Sequence, residues 1–337
     1  MYYTPFMIEV KSKVLIIRFS SFGDVTQCLS VPSKLKSFFP SSEIHWTTRE
    51  NMAPLLEGHP AIDKIWKISQ KSSFFALVKL GLQLKKENFT HIYDAHNNLR
   101  SHIISWFLYP PHFLRRSQKR FLRILLFQFR INKFRQPFSG QRDLLEPLKK
   151  WGLSENLPPP PQIFVSSAAE KKVNAILAQL NWKSFIALAP SAAFALKRWP
   201  LEHWKKLISL HPERNFAILG GVEDSFLRDL TSVAPSRVVN WAGLFSLQES
   251  VAAVSLSSLL ISNDTGLLHV GEQLGKPTIA LMGPAPFGFP SRETTKILEL
   301  QLSCRPCSKH GQGPCTNEKF HRCLVDISPE QVSLAIS

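Results

Sequence analysis

Apolar, β-branched runs recur along this chain, each followed by a polar turn and then by a segment whose apolar positions fall three and four apart. The first run is Lys-Val-Leu-Ile-Ile-Arg-Phe at 13–19. The spacing after it predicts a helix over 25–39, stopped by Pro40 and Ser41. Strands follow over 43–48, 64–68 and 90–93, alternating with helical segments near 52–57 and 74–87. Four consecutive prolines, Pro158 to Pro161, then interrupt the pattern. They continue neither a helix nor a central strand and read as a connection between two halves. A second series begins beyond them, with strands over 184–190, 215–221 and 237–240 and helices over 200–210 and 223–233. A helix from Val251 leads into a short buried strand ending at Ile261. Another helix over 266–274 and a strand over 277–282 close the series. This rhythm predicts an α/β fold of two parallel sheets with helices on both faces. Ligands of such open sheets bind beyond the C-terminal strand ends, and the polar clusters of each half fall at those ends.

Length and composition set the frame without changing it. A chain of 337 residues, 44% of them hydrophobic, predicts about two globular domains. No apolar run approaches the roughly 20 residues of a membrane span. Residues 1–10 lack the basic start and long apolar core of a secretory signal, so the expected location is cytoplasmic. Charge does add something. The net charge is +16, and no acidic residue lies between Asp94 and Asp143, where ten arginines and lysines accumulate. At the centre of that segment, 113–130, apolar and basic residues alternate at roughly helical spacing. Such a segment suits an anionic membrane surface or an anionic amphiphilic substrate. The plainer alternative is the solvated face of an ordinary helix. No nucleic-acid-binding module is legible, so nucleic acid is not an expected partner.

Three turns carry candidate chemistry. Ser262-Asn263-Asp264-Thr265-Gly266 lies between a strand end and a helix start, where free amides and the helix dipole suit a phosphate. A simple capping turn is the alternative reading. His269 follows on the same helix. Asp24, in Ser20-Ser21-Phe22-Gly23-Asp24, is a general base projecting into a cleft or a helix N-cap. In Ser191-Ala-Ala-Phe-Ala-Leu-Lys197-Arg198-Trp199-Pro200, Lys197 and Arg198 neutralise a diphosphate or are surface cations before a helix. Glu223 binds a ribose or begins a helix. No Gly-x-Gly-x-x-Gly and no P-loop are present, which counts against dehydrogenases and kinases. Cys304, Cys307, Cys315 and Cys323 fall within twenty residues. They offer a zinc alternative to reduced thiols, although their spacing matches no strong zinc pattern.

The stretch Lys13 to Val25, the Lys197-Arg-Trp-Pro200 loop, Ser262-Asn-Asp-Thr-Gly-x-x-His269 and Gly275-Lys-Pro-x-x-Ala-Leu-x-Gly-Pro284 resemble the ADP-heptose:lipopolysaccharide heptosyltransferases. So does the Cys304 to Cys323 tail. This is the glycosyltransferase family 9 pattern, spanning about residues 13 to 330. The resemblance implies a GT-B architecture of two Rossmann-like domains facing across a cleft. The acceptor domain would be 1–160 and the nucleotide-sugar domain 161–337. It implies inverting transfer without a metal or other cofactor, with Asp24 deprotonating the acceptor hydroxyl. Lys197 and the amides of Asp264, Thr265 and Gly266 would stabilise the departing diphosphate. Ser191 would bind phosphate, Glu223 the nucleoside, and His269 would support or contact the phosphate loop. The implied partners are an ADP-heptose donor and an anionic lipid A–Kdo acceptor held by Arg49 and Arg100. Residues 100–142 would contact the inner face of the inner membrane. One departure concerns the donor: Ser191-Ala-Ala-Phe-Ala-Leu lacks the hydroxyl-rich, glycine-containing loop common in the family. Competing readings are a GT-B enzyme using another nucleotide-hexose and a non-catalytic protein binding anionic lipid.

Overall fold

The computed structural model describes residues 12–336, so the N-terminal stretch read for a leader lies outside the described residues. The first half is a sheet of β1 (Lys13–Ile17), β2 (Glu43–Arg49), β3 (Lys64–Ile68), β4 (His91–Asp94) and β5 (His112–Arg115). Its order is β3-β2-β1-β4-β5, and every pairing is parallel. Helices α1 (Phe22–Cys28), α2 (Ser30–Phe38), α3 (Phe74–Lys85), α4 (Leu99–Ser105), α5 (Arg120–Gln128) and α6 (Gly140–Leu145) surround it. The second half contains β6 (Ile186–Ala189), β7 (Phe216–Ile218), β8 (Val238–Asn240), β9 (Leu259–Asn263), β10 (Thr278–Met282) and β11 (Thr295–Glu299). Its order, β11-β10-β9-β6-β7-β8, winds the same way with one strand more. Its helices are α7 (Ser167–Gln179), α8 (Leu201–Leu210), α9 (Leu247–Leu256), α10 (Gly266–Leu274), α11 (Arg322–Val325) and α12 (Pro329–Ile336).

The two α/β halves match the expected class, and the differences from the predicted elements have local causes. The helix expected over 25–39 breaks at Leu29 into α1 and α2. Pro32 has no N–H to offer the Cys28 carbonyl, which ends the first ladder. The helix expected over 223–233 is a 3-10 helix, Ser225–Val233, whose buried Leu227 and Leu230 lie three residues apart as that geometry favours. The segment 113–130, read at helical spacing, begins as strand β5, because His112 to Arg115 pair with β4. Only Arg120–Gln128 is helical there.

Both sheets reverse winding direction between their first and fourth strands, β1 and β4 in one half and β6 and β9 in the other. Crevices form beyond the strand ends at such points, and here they face each other. One apolar cluster runs through the contact: Val25, Leu29 and Leu144 of the first half belong with Val251, Leu260 and Val270 of the second. Buried amides lie beside it. The Gln273 amide donates to the Thr26 carbonyl at 2.8 Å, and Arg292 Nη2 donates to Gln273 Oε1 at 2.9 Å.

Away from this floor the halves also meet at a rim. Phe287 packs edge-on against Phe134 and Phe138, both at 5.2 Å between ring centroids. Arg130 donates to the Pro306 carbonyl at 2.8 Å. The exposed aromatics Trp106, Tyr109, Phe121 and Phe129 lie in the first half. Among the described residues no helix is long and apolar enough to cross a membrane.

Candidate active site

A cavity of about 450 Å³ opens between the two sets of strand ends. Its first wall is the start of α1. Ser21 caps that helix in a capping box with Asp24, donating from Oγ at 2.8 Å and from its N–H at 3.2 Å to Asp24 Oδ2. Arg18 Nη2, nearly buried, reaches the same oxygen at 2.8 Å. Asp24 is therefore not the N-cap, which is Ser21, but the third residue of its capping box, and it also lines the cavity. Oδ2 serves the fold, while Oδ1 has no hydrogen-bond partner among the described residues. Burial would raise this carboxyl, but Arg18, the two Ser21 hydrogen bonds and Arg116 together hold it well below the usual carboxylate range. It stands in the cavity as an anion.

The opposite wall is the start of α10. Thr265 is its N-cap and makes no side-chain cap bond, so the first amides of α10 are left for another acceptor. Gly266 is required by close approach: a Cβ there would lie 2.2 Å from Phe22 Cδ1. The starts of α1 and α10 thus nearly touch. Lys197, from the loop after β6, reaches Asp264 Oδ2 at 2.6 Å, and both side chains are largely buried. That ion pair holds the lysine at the cavity edge with donors to spare.

His269 lines the same cavity with both ring nitrogens occupied. Nδ1–H donates to Glu272 at 2.9 Å, leaving Nε2 to accept from the Gln27 amide at 3.1 Å. Glu272 in turn accepts from the backbone N–H groups of Ser291 and Arg292. The histidine thereby joins α10 to α1.

Six of the residues singled out from the sequence are brought to this one cavity: Asp24, Lys197, Asp264, Thr265, Gly266 and His269. Five are not among its lining, and one of them, Arg198, is turned to the Ala192 carbonyl at 2.9 Å. Ser191 is half-buried just past β6, and Glu223 is exposed past β7. Arg49, ending β2, and Arg100, in the first turn of α4, lie near each other. Burial and the Arg100 charge both lower the Arg49 pKa. Arg116, Arg123, Lys309 and His310 line the cavity but were not read as site residues. The first two lay in the segment assigned to a membrane, the last two in a stretch read only for metal.

The acid-free segment is not free of acids in space. Arg115 pairs with Asp94 at 2.8 Å, Arg116 with Asp143, and Lys119 with Asp143 and Glu146. Arg135 pairs with Glu155. Strand and helix ends bring these carboxylates in from outside the segment.

The zinc alternative is not assembled. Among the described residues no group of three or more His, Cys, Asp or Glu is placed to hold a metal. Cys304 Sγ accepts from Asn317 at 3.4 Å and Cys315 Sγ from the His321 N–H at 3.2 Å. Burial pushes the Cys323 thiol up to about 11.

In sequence and in fold the chain is similar to known proteins. Lipooligosaccharide heptosyltransferase 2 of Haemophilus influenzae is 28% identical over 94% of this chain and 96% of its own length. A glycosyltransferase family 9 structure from Veillonella parvula superposes with a TM-score of 0.81 at 20% identity, covering 96% of both chains. The ADP-heptose LPS heptosyltransferase II of E. coli superposes at 0.71 with 21% identity, covering 96% of this chain and 97% of that one. Both structures share the GT-B fold of two facing Rossmann-like domains. The model of glycosyltransferase family 9 (heptosyltransferase) matches residues 77–320, and the chain belongs to that family.

Proposed function

We propose that this enzyme transfers heptose from ADP-heptose to the lipid A–Kdo inner core of lipopolysaccharide, with inversion at the anomeric carbon. The first domain, 1–160, holds the acceptor and the second, 161–337, the donor. One observation carries the reading: Asp24 and the Lys197–Asp264-Thr265-Gly266 group line one cavity from opposite halves. An in-line displacement needs its base and its leaving group on opposite sides of the sugar. Asp24 Oδ1 takes the proton from the acceptor hydroxyl as that oxygen bonds to the anomeric carbon. The bond from that carbon to the diphosphate oxygen breaks, and ADP departs. A weakly basic carboxylate suits late proton transfer, because the hydroxyl becomes strongly acidic only as the new bond forms. Lys197 and the α10 amides meet the charge growing on the diphosphate. Glu223 and Ser191 serve the nucleoside and a phosphate, beyond the cavity itself.

The acceptor is a glycolipid, and the first half fits one. Arg49 and Arg100 have no ion-pair partner among the described residues and suit its carboxylates or phosphates. Exposed Trp106, Tyr109, Phe121 and Phe129, with the unpaired cations of 100–142, suit the anionic membrane surface that presents it. The enzyme then works from the cytoplasmic side, at the inner face of the inner membrane.

The test incubates purified protein with ADP-heptose and heptose-deficient Kdo–lipid A, reading product configuration by NMR. Transfer with inversion, lost in Asp24→Asn, is the expected result. Transfer from another nucleotide-hexose in preference overturns the donor. Vesicle binding with no transfer from any donor favours the lipid-binding reading instead.

A further inference from the structure

Arg123 and Lys309 line the cavity from opposite halves, with His310 beside Lys309. Arg123 stands on α5, and Lys309 and His310 on the loop between β11 and α11. The other cations of the cavity are tied to carboxylates, Arg116 to Asp143 at 2.9 Å and Lys197 to Asp264 at 2.6 Å. These three have no acidic partner among the described residues. The Arg123 guanidinium lies 4.8 Å from the centre of the Phe287 ring, and its Nε is buried without an acceptor.

The loop that carries Lys309 is built to stay where it is. Ser308 Oγ accepts from the Gly311 N–H at 3.0 Å and donates to the Gln312 carbonyl at 2.8 Å. Gly311 has φ of +83°, and a Cβ there would come within 2.6 Å of Lys197 Cγ. The turn is therefore seated on the very lysine assigned to the leaving group. Burial and the Arg123 charge lower the Lys309 pKa, and the Asp24 carboxylate, which faces the same cavity, offsets them only in part. Like charges held together in a half-enclosed site favour an anion between them.

The geometry points to an oxyanion subsite of Arg123 and Lys309 that takes a carboxylate or phosphate of the acceptor, next to the hydroxyl facing Asp24. It rests on the transfer reading above and names which acceptor group the cavity recognises. The donor diphosphate already has Lys197 and the α10 amides. Arg123 belongs to the half that supplies Asp24, and Lys309 and His310 face it from the other half. An acceptor bound here is held by both halves at once, so its binding helps keep the cleft shut.

Calorimetry of acceptor binding without donor tests this, using a de-acylated phosphorylated acceptor and the phosphate-free Kdo sugar as separate probes. In Arg123→Gln and Lys309→Gln, affinity for at least one probe falls about tenfold or more, while ADP affinity stays within twofold. Loss with the Kdo sugar identifies a carboxylate, and loss only with the phosphorylated probe identifies a phosphate. Arg123→Lys, which keeps charge, recovers part of the loss and separates a charge effect from misfolding. Unchanged affinity for both probes, an equal fall in ADP affinity, or no acceptor binding by the unsubstituted protein overturns the subsite. A protein that binds acceptor but transfers no heptose refutes the functional reading and leaves the subsite standing.

Discussion

In the first half the end of β1 presents side-chain charge to the cleft, Asp24 with Arg18 behind it. In the second half the equivalent strand ends present backbone, the uncapped start of α10, with one lysine pinned to Asp264. The two sheets wind alike, yet one offers a carboxylate and the other backbone amides without a side-chain cap. A shared topology fixes where a crevice lies and leaves its chemistry to a few residues at the strand ends. The halves also differ in how they meet water. Half-buried arginines without acids and exposed aromatics mark the first, whereas in the second the end of β9, Asn263 and Asp264, is buried.

The sharpest way to separate the halves is to disable each in turn. Asp24→Asn removes the proton acceptor and keeps the side-chain shape. We expect kcat to fall about 10²–10⁴-fold with ADP affinity unchanged, measured by steady-state transfer and calorimetry. A matching loss of ADP affinity would show that the two walls are not independent. Lys197→Gln acts on the other wall and on stability together, because it strands the buried Asp264 carboxylate. A cost of about 3–5 kcal/mol follows from breaking such a pair, read by urea unfolding, together with weaker ADP binding.

Gly288→Ala is a milder probe of the same wall. A Cβ there would lie 1.9 Å from Asp264 Oδ1, so Asp264 and Lys197 must shift. Overpacking of this kind costs about 1–3 kcal/mol, and ADP affinity should drop while acceptor affinity holds. A further effect, spread over three groups, is carried by protons and belongs to the first half. Burial, the largest cause for each, holds His59, His91 and His96 at about 4 against 6.5 for a free imidazole. The unfolded chain takes up these protons first as pH falls, so stability present above about 6.5 is lost progressively toward 4. The melting temperature should drop by several degrees across that window, with amide exchange quickening in the first half before the second. A flat profile would overturn this.

Much of the fold was legible because parallel strands buried on both faces read as unbroken apolar runs, as Val14 to Ile17 and Thr278 to Met282 do. The turns were legible for a related reason: polar residues crowd where such runs end, which brought out Asp24 and Asp264-Thr265-Gly266. The break at Leu29 was signalled by Pro32, but a continuous apolar face hid it. Strand β5 was hidden too, because its basic, half-exposed edge resembles an amphipathic helix. Charge pairing was the least legible property. Arg116 meets Asp143 across 27 positions and Lys197 meets Asp264, contacts that only the folded chain creates. Lys309 was overlooked for the same reason, since nothing local to Cys307-Ser308-Lys309 announces a cavity in the other half.

The near contact of α1 with α10 has a mechanical meaning. The apolar cluster and the Gln27–His269 bond bind the two halves along the floor of the cleft, as a spine binds the covers of a book. Parting them there would bring buried side chains into water. The opposite edge is fastened by Phe287 among aromatic rings and by Arg130 on exposed carbonyls, which is far easier to undo. Any swing that admits a bulky glycolipid therefore turns about the spine, and Asp24 and Gly266 sit next to it. A swing about that spine would open a wide arc at the edge and leave the separation of Asp24 and Gly266 scarcely changed.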